Sequence, residues 1–226
     1  MEPARPTSPL YPAGELRKVG GRTMTIADFR ARWTGHVPQV QDVKQEYAVL
    51  VPLVKGPEGP SLLFEVRAST LAHQPGEVCF PGGKVEPGER PRDCALRETV
   101  EELAIPPEEV ELIAPLDLLV QQGKFVMHPF LGVVSQRGME AMTPSPAEVG
   151  STFLVPVEWF RAHPPQVYSY ELKPQVTDDF PYDSIGFPRG YRWRSGEVTV
   201  PIYPWPKRPI WGLTGRIVRH LMEEMA

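Results

Sequence analysis

The 28 prolines in this 226-residue chain narrow its folds more than any other feature. They are roughly twice the usual share of about 5%. Each one fixes φ and removes a backbone donor, so long uninterrupted helices are hard to build. That argues against a helical bundle or a coiled coil. Short strands with a few helices remain, in an α/β or α+β sandwich. The length suits one domain of about 150–200 residues with extra segments. With 41% apolar and 23% charged residues, the chain can bury a core.

Several function classes are excluded early. A net charge of −4 and a pI near 5.8 give no general basic field, so neither nucleic acid nor an anionic membrane is an expected partner. Cys79 and Cys94 are too few for a disulfide framework, and a reducing cytoplasm is the natural setting. The first 22 residues carry prolines and glycines where a signal peptide needs an apolar run. No stretch approaches the ~18 apolar residues of a membrane span. A cytoplasmic protein is expected.

Periodicity places the elements. Residues 1–36 read as a Pro-rich arm followed by a short helix, capped by Thr25 and with Ile26, Phe29 and Trp33 on one face. The principal domain is expected over 37–226. Tyr47–Val54 and Ser61–Arg67 read as a hairpin across Gly56-Pro-Glu-Gly-Pro60. Pro91–Leu103 has the strongest helical pattern, with Pro91 tolerated in the first turn and Pro106-Pro107 ending it. Val110–Pro115, Phe125–Val134 and Phe153–Val155 read as strands, and Glu158–Ala162 as a short helix. A second hairpin is expected around Ser195-Gly196, between 190–194 and 197–203. An amphipathic helix over 214–225 closes the chain.

The chemistry concentrates between Phe80 and Ile105. On the helix, Glu98 lies one turn from both Glu101 and Glu102, so three carboxylates share an edge. Like charges at that spacing repel, and hard divalent cations between them would relieve the repulsion. Oxygen ligands alone suit Mg²⁺ or Mn²⁺ rather than zinc. Gly82 and Gly83 give the preceding loop backbone freedom and a carbonyl for the same cation. Arg97 is placed to orient a glutamate through a bidentate pair.

Gly83, five residues, Glu89, seven residues, Arg97-Glu98 and then Glu101-Glu102 resembles the Nudix box, G-x5-E-x7-R-E-U-x-E-E-x-G-U. Thr99 and Ala104 depart from it, replacing an aliphatic residue and a glycine. The resemblance implies a Nudix α/β/α sandwich on a mixed sheet, with residues 83–105 forming a loop–helix–loop. It implies hydrolysis of a nucleoside diphosphate derivative with Mg²⁺ or Mn²⁺. Glu98 and Glu102 are then the principal metal ligands, Glu101 shares or bridges, Arg97 holds the carboxylates and Glu89 supports the site from the loop.

A second signature precedes the box. Leu63-Phe-Glu-Val-Arg67-Ala68, then Ala72, Gly76 and Phe80-Pro-Gly-Gly83 is similar to the pattern L-L-T-x-R-[SA]-x3-R-x3-G-x3-F-P-G-G of Nudix coenzyme A diphosphatases. Phe64, Glu65 and Ala72 depart from it, Ala72 standing where the pattern has a second arginine. Ile210–Val218 resembles that subgroup's closing helix. The implied substrate is CoA or an acyl-CoA, split into 3′,5′-ADP and 4′-phosphopantetheine or its acyl derivative. Arg67, with Gly82 and Gly83, is the candidate substrate-binding set. Glu148, in a Pro-rich loop, is the candidate base or extra ligand. The competing readings are a Nudix pyrophosphatase for ADP-ribose, NADH or an oxidised nucleotide, and a Nudix-like binding module without catalysis. A homodimer is expected by analogy.

Overall fold

Alternation along one strand sets the layers. In β1 (Gln45–Gly56), Ala48, Leu50 and Val54 pack on one side of the sheet and Val49 and Val51 on the other. A strand buried on both faces reads as a continuous apolar run, and Tyr47–Val54 is such a run. The computed structural model describes residues 24–38, 40–121, 125–188 and 190–226, so the arm at 1–22 lies outside the described residues. The chain divides into two units, residues 1–41 and 42–226.

In the first unit, α1 (Ile26–Trp33) begins with a capping box: the Asp28 amide donates to Thr25 Oγ1 at 3.3 Å and the Thr25 amide to Asp28 Oδ2 at 2.7 Å. Its apolar residues Ile26, Phe29 and Trp33 are exposed.

The second unit is built on a mixed sheet of eight strands. β1 pairs antiparallel with β2 (Gly59–Arg67) and with β4 (Gly82–Lys84), and parallel with β7 (Phe125–Val134). β2 also pairs with β3 (Val78–Cys79) and β8 (Val149–Pro156). β7 also pairs with β5 (Val110–Pro115) and β6 (Leu119–Gln121). On one face lies α2 (Pro91–Leu103), whose Cys94 and Ala95 pack on Ala48 and whose Leu103 packs with Leu50 and Leu63. On the other lies α5 (Gly212–Glu224), whose Ile217, Val218 and Leu221 meet Val49, Val51, Leu62 and Phe64. The result is an α/β fold of three layers, helix on sheet on helix. Two short helices, α3 (Gln136–Ala141) and α4 (Val157–Ala162), flank β8. No described helix is long and apolar enough to cross a membrane.

The expected hairpin around Ser195-Gly196 is corrected. β10 (Gly196–Ile202) pairs with β9 (Gln166–Leu172), and residues 190–194 form no strand. β9 has no buried residue, so its apolar–polar alternation carries no core signal. The closing helix starts at Gly212 rather than 214.

Ala104 ends α2 in the left-handed region, φ 55° and ψ 28°, where the box pattern has glycine. The turn is therefore kept, with the strain of a side chain at positive φ, about 1–2 kcal/mol. Glycine would lift that strain but loosen the unfolded chain. Ala104→Gly is expected to raise stability by ~0.5–1 kcal/mol in thermal or denaturant unfolding; a loss of stability would show that Ala104 is not strained.

Candidate active site

The glycine loop is fastened to the centre of the sheet. The Leu50 amide donates to the Pro81 carbonyl at 2.9 Å, and β4 pairs Gly82 and Gly83 with Val49 and Ala48. A Cβ at Gly82 would overlap the Ala48 carbonyl and Val49, so only glycine lets the loop lie this close to β1. A Cβ at Gly83 would occupy the space filled by the Glu98 carboxylate. These two glycines are required by close approach, one towards the strand and one towards the helix.

Arg97 organises the outer carboxylates. Its Nε and Nη2 donate to Glu89 Oε1 and Oε2 at 2.9 and 3.1 Å, a bidentate pair. Its Nη1 donates to Glu98 Oε1 at 2.8 Å and to Glu101 Oε2 at 2.9 Å. Nη2 also reaches the Lys84 carbonyl at 3.2 Å. Glu89 is fixed from its other side by the Glu86 amide, at 2.9 Å. The Arg97 hydrogen bond is the main reason the Glu89 carboxyl is held down at about 2, well below the usual range.

The inner carboxylates have a different environment. Glu102 is buried and accepts a 2.8 Å hydrogen bond from the Gly82 amide. Burial raises its pKa strongly, and the charge of Glu65 is the next cause. Burial likewise raises Glu98, against the pull of Arg97. Glu148 stands at the end of the loop before β8, and its charge acts on Glu65, Glu98 and Glu102 together.

A cleft of about 860 Å³ opens over this group, within the range of small-molecule sites. Its walls include Arg67, Ala72, Gly83, Glu98, Glu102 and Glu148. Arg67 ends β2, and its Nε reaches the His73 carbonyl at 3.4 Å. The segment from 67 to 76 closes on itself: the Gly76 amide donates to the Arg67 carbonyl at 3.0 Å, with Gly76 at φ 75°, where glycine is favoured. The cleft thus joins Glu98, Glu102, Glu148, Arg67, Gly82 and Gly83. Glu101 stands apart, half-exposed beside Arg97 and outside the cleft walls. Glu89 is reached through Arg97.

Sequence reasoning missed Glu65. It sits in the apolar run of β2, is only 1% exposed, and its charge couples to Glu102. A lone acid inside a buried strand was the available signal. The cleft carboxylates Glu98, Glu102 and Glu148 offer oxygen donors, which fit Mg²⁺ or Mn²⁺. Among the described residues no three acidic, His or Cys side chains are already gathered around one point. Glu98 is instead held by Arg97, and Glu102 by the Gly82 amide.

The NUDIX domain family matches residues 44–175. The chain belongs to the Nudix family. Nudix hydrolase 3 of Caenorhabditis elegans is 36% identical over 119 residues, 52% of this chain and 50% of that protein. The peroxisomal coenzyme A diphosphatase NUDT7 of Mus musculus is 37% identical over 136 residues, 60% of this chain and 56% of that protein. The match therefore spans about half the length of these two relatives. The Nudix hydrolase NudL of Photorhabdus laumondii is 29% identical over 207 residues, 89% of this chain and 98% of that protein. Among solved structures, an Ap4A hydrolase of C. elegans overlaps 52% of this chain and 84% of its own, with a TM-score of 0.42 and 22% identity.

Gly83→Ala should displace the Glu98 carboxylate. In the hydrolysis assay of the function proposed below, turnover is expected to fall by ~10²-fold or more with the far-ultraviolet circular dichroism spectrum unchanged. Turnover near wild type would show that Glu98 does not depend on the close approach.

Proposed function

We propose that this Nudix hydrolase cleaves the diphosphate of coenzyme A or an acyl-CoA, giving 3′,5′-ADP and 4′-phosphopantetheine or its acyl derivative. The observation that carries the reading is a shared cleft. Arg67 and the Phe80–Gly83 loop, from the CoA-type signature, line the same walls as Glu98 and Glu102 from the box. The mouse coenzyme A diphosphatase, 37% identical over 60% of this chain, supports it.

In this reading Glu98 and Glu102 would hold Mg²⁺ or Mn²⁺, with Glu101 and the Gly83 carbonyl as further donors. Cations held there would neutralise pyrophosphate charge and lower the pKa of attacking water. The protein's own groups supply position. Arg97 keeps Glu98 and Glu101 in register, and Glu89 keeps Arg97 in place. Arg67 binds the substrate's phosphates where the Gly82-Gly83 loop lines the cleft, and Glu148 accepts the proton of the water that adds across the P–O–P bond. Water adds once, and both products leave as phosphate monoesters.

One observation favours a second substrate class. Ala72 lines the cleft where the CoA-type pattern has an arginine, and Glu65 adds an acid where it has threonine. Both changes make the site more negative, which suits a nucleoside diphosphate derivative without a 3′-phosphate, such as ADP-ribose.

Turnover of CoA, dephospho-CoA, ADP-ribose and NADH with Mg²⁺ or Mn²⁺, with products identified by mass, separates the two. CoA is expected to have the highest kcat/KM and to yield 3′,5′-ADP; preference for ADP-ribose would replace the CoA reading and leave the Nudix chemistry intact. Glu102→Gln is expected to lower kcat by at least ~10²–10³-fold in the same assay without loss of fold, and retained turnover would remove Glu102 from the metal site. Ala72→Arg should lower the KM for CoA about tenfold while leaving dephospho-CoA unchanged, the size of one charge-assisted hydrogen bond. Equal effects on both would show that residue 72 does not face the 3′-phosphate.

A further inference from the structure

Glu65 sits where a strand buried between two helical layers ordinarily carries an apolar side chain. Its neighbours Leu62, Leu63 and Phe64 are all core residues. In the β2 alternation, Leu62 and Phe64 pack on the α5 side, while Leu63 packs with Leu103 on the α2 side. Glu65 follows Leu63 by two residues and so shares the α2 side. It pairs with Cys79 of β3 and Thr152 of β8.

The two carboxylate oxygens of Glu65 are treated differently. Oε1 accepts a hydrogen bond from the Cys79 thiol, Sγ to Oε1 3.2 Å. Oε2 is buried and has no hydrogen-bond partner among the described residues. No other described side chain has such an orphaned buried oxygen or nitrogen. Leaving a buried carboxylate oxygen unsatisfied is strongly unfavourable, and such groups are held in place by pairing or by a metal.

The nearby cations do not meet the need. Arg97 is committed to Glu89, Glu98 and Glu101. Arg67 offsets part of the Glu65 charge, but Glu98 and Glu148 add to it from the other direction. The charge of Glu65 is also the strongest one acting on Glu102. Glu65 thus lies in the field of Glu98, Glu102 and Glu148, which line the cleft, and it presents an open oxygen.

We propose that Glu65 is a further metal ligand: its Oε2 joins Glu98 and Glu102 in holding a divalent cation at the floor of the cleft, while the Cys79 thiol fixes Oε1. The proposal rests on the reading of Glu98 and Glu102 as metal ligands. It adds a donor from the sheet to a set otherwise supplied by the helix. Cys79 acquires a role in orienting a ligand, as the hydrogen-bond partners of ligating groups do elsewhere.

The test is Mn²⁺ binding to the full chain, followed by the electron paramagnetic resonance signal of free Mn²⁺ at fixed pH. Wild type, Glu65→Gln and Glu102→Gln are compared, with metal-free melting temperatures measured alongside. Gln keeps the shape of Glu65 and its acceptor for the Cys79 thiol. Glu65→Gln is expected to weaken Mn²⁺ binding at least ~10-fold, no less than the loss of an outer-shell partner costs. Its metal-free melting temperature should be equal to or above that of wild type, because a buried charge has been removed. If Glu65→Gln binds Mn²⁺ as wild type does while Glu102→Gln loses it, Glu65 is not a ligand and the helix carboxylates stand. If wild type itself binds no Mn²⁺, both readings fall. A lowered metal-free melting temperature with unchanged Mn²⁺ affinity assigns Glu65 a structural role only and overturns the proposal. Glu65→Thr, the residue of the CoA-type pattern, takes the place of Gln should that variant not fold, and the same outcomes apply.

Discussion

The close approach of the Gly82-Gly83 backbone to the central strand is the constraint on which the rest of the site depends. With no Cβ at Gly82, the loop can lie against Ala48 and Val49, and its amide then points at Glu102. With no Cβ at Gly83, Glu98 can enter the space beside the loop. The same strand holds α2 through Ala48 and α5 through Val49 and Val51, so one element carries both the core and the loop. The chemistry is therefore built on rigid structure rather than on a mobile surface segment.

Charge divides the site into two zones with opposite tendencies. Around Arg97, bidentate pairing holds Glu89 ionised, and Glu98 and Glu101 share what the guanidinium has left. Beneath the cleft, burial and mutual repulsion raise Glu65, Glu98 and Glu102. A site that gathers raised carboxylates, keeps Arg97 among the outer ones and sets Arg67 in the cleft wall is suited to a divalent cation, and through it to a pyrophosphate. The raised carboxylates also bear on stability. A group whose pKa is raised on folding favours the folded state fully below its unfolded value near 4.5, and that contribution is lost as pH rises through the folded value, about 7 for Glu65 and about 9 for Glu102. A bound cation acts in the opposite sense, since it favours the ionised form.

Much of this was legible in the sequence, for reasons that can be traced residue by residue. The bounds of α2 followed from Pro91, the apolar stripe and Pro106, and the convergence of Glu98 with Glu102 followed from helical geometry. β1 was legible because burial on both faces makes an unbroken apolar run. β9 was not, because a strand with every residue exposed leaves no such pattern, and β10 was accordingly given the wrong partner. Ala104 shows a tertiary demand overriding local preference: the turn after α2 needs a left-handed residue, and alanine adopts it. Glu65 was visible only as a departure from a pattern, since its meaning depends on Cys79 and Glu102, which are brought to it by pairing across the sheet and by the helix above. Glu101 has the spacing of a ligand, yet its side chain lies with Arg97 at the rim.

A crystal of the full chain soaked with Mn²⁺ and read by anomalous scattering locates the metal. An anomalous peak is expected within ~2.5 Å of carboxylate oxygens of both Glu98 and Glu102, under the Gly82-Gly83 loop. A peak held elsewhere on the chain, with the Gly82–Glu102 hydrogen bond intact and the cleft floor empty of metal, would contradict it.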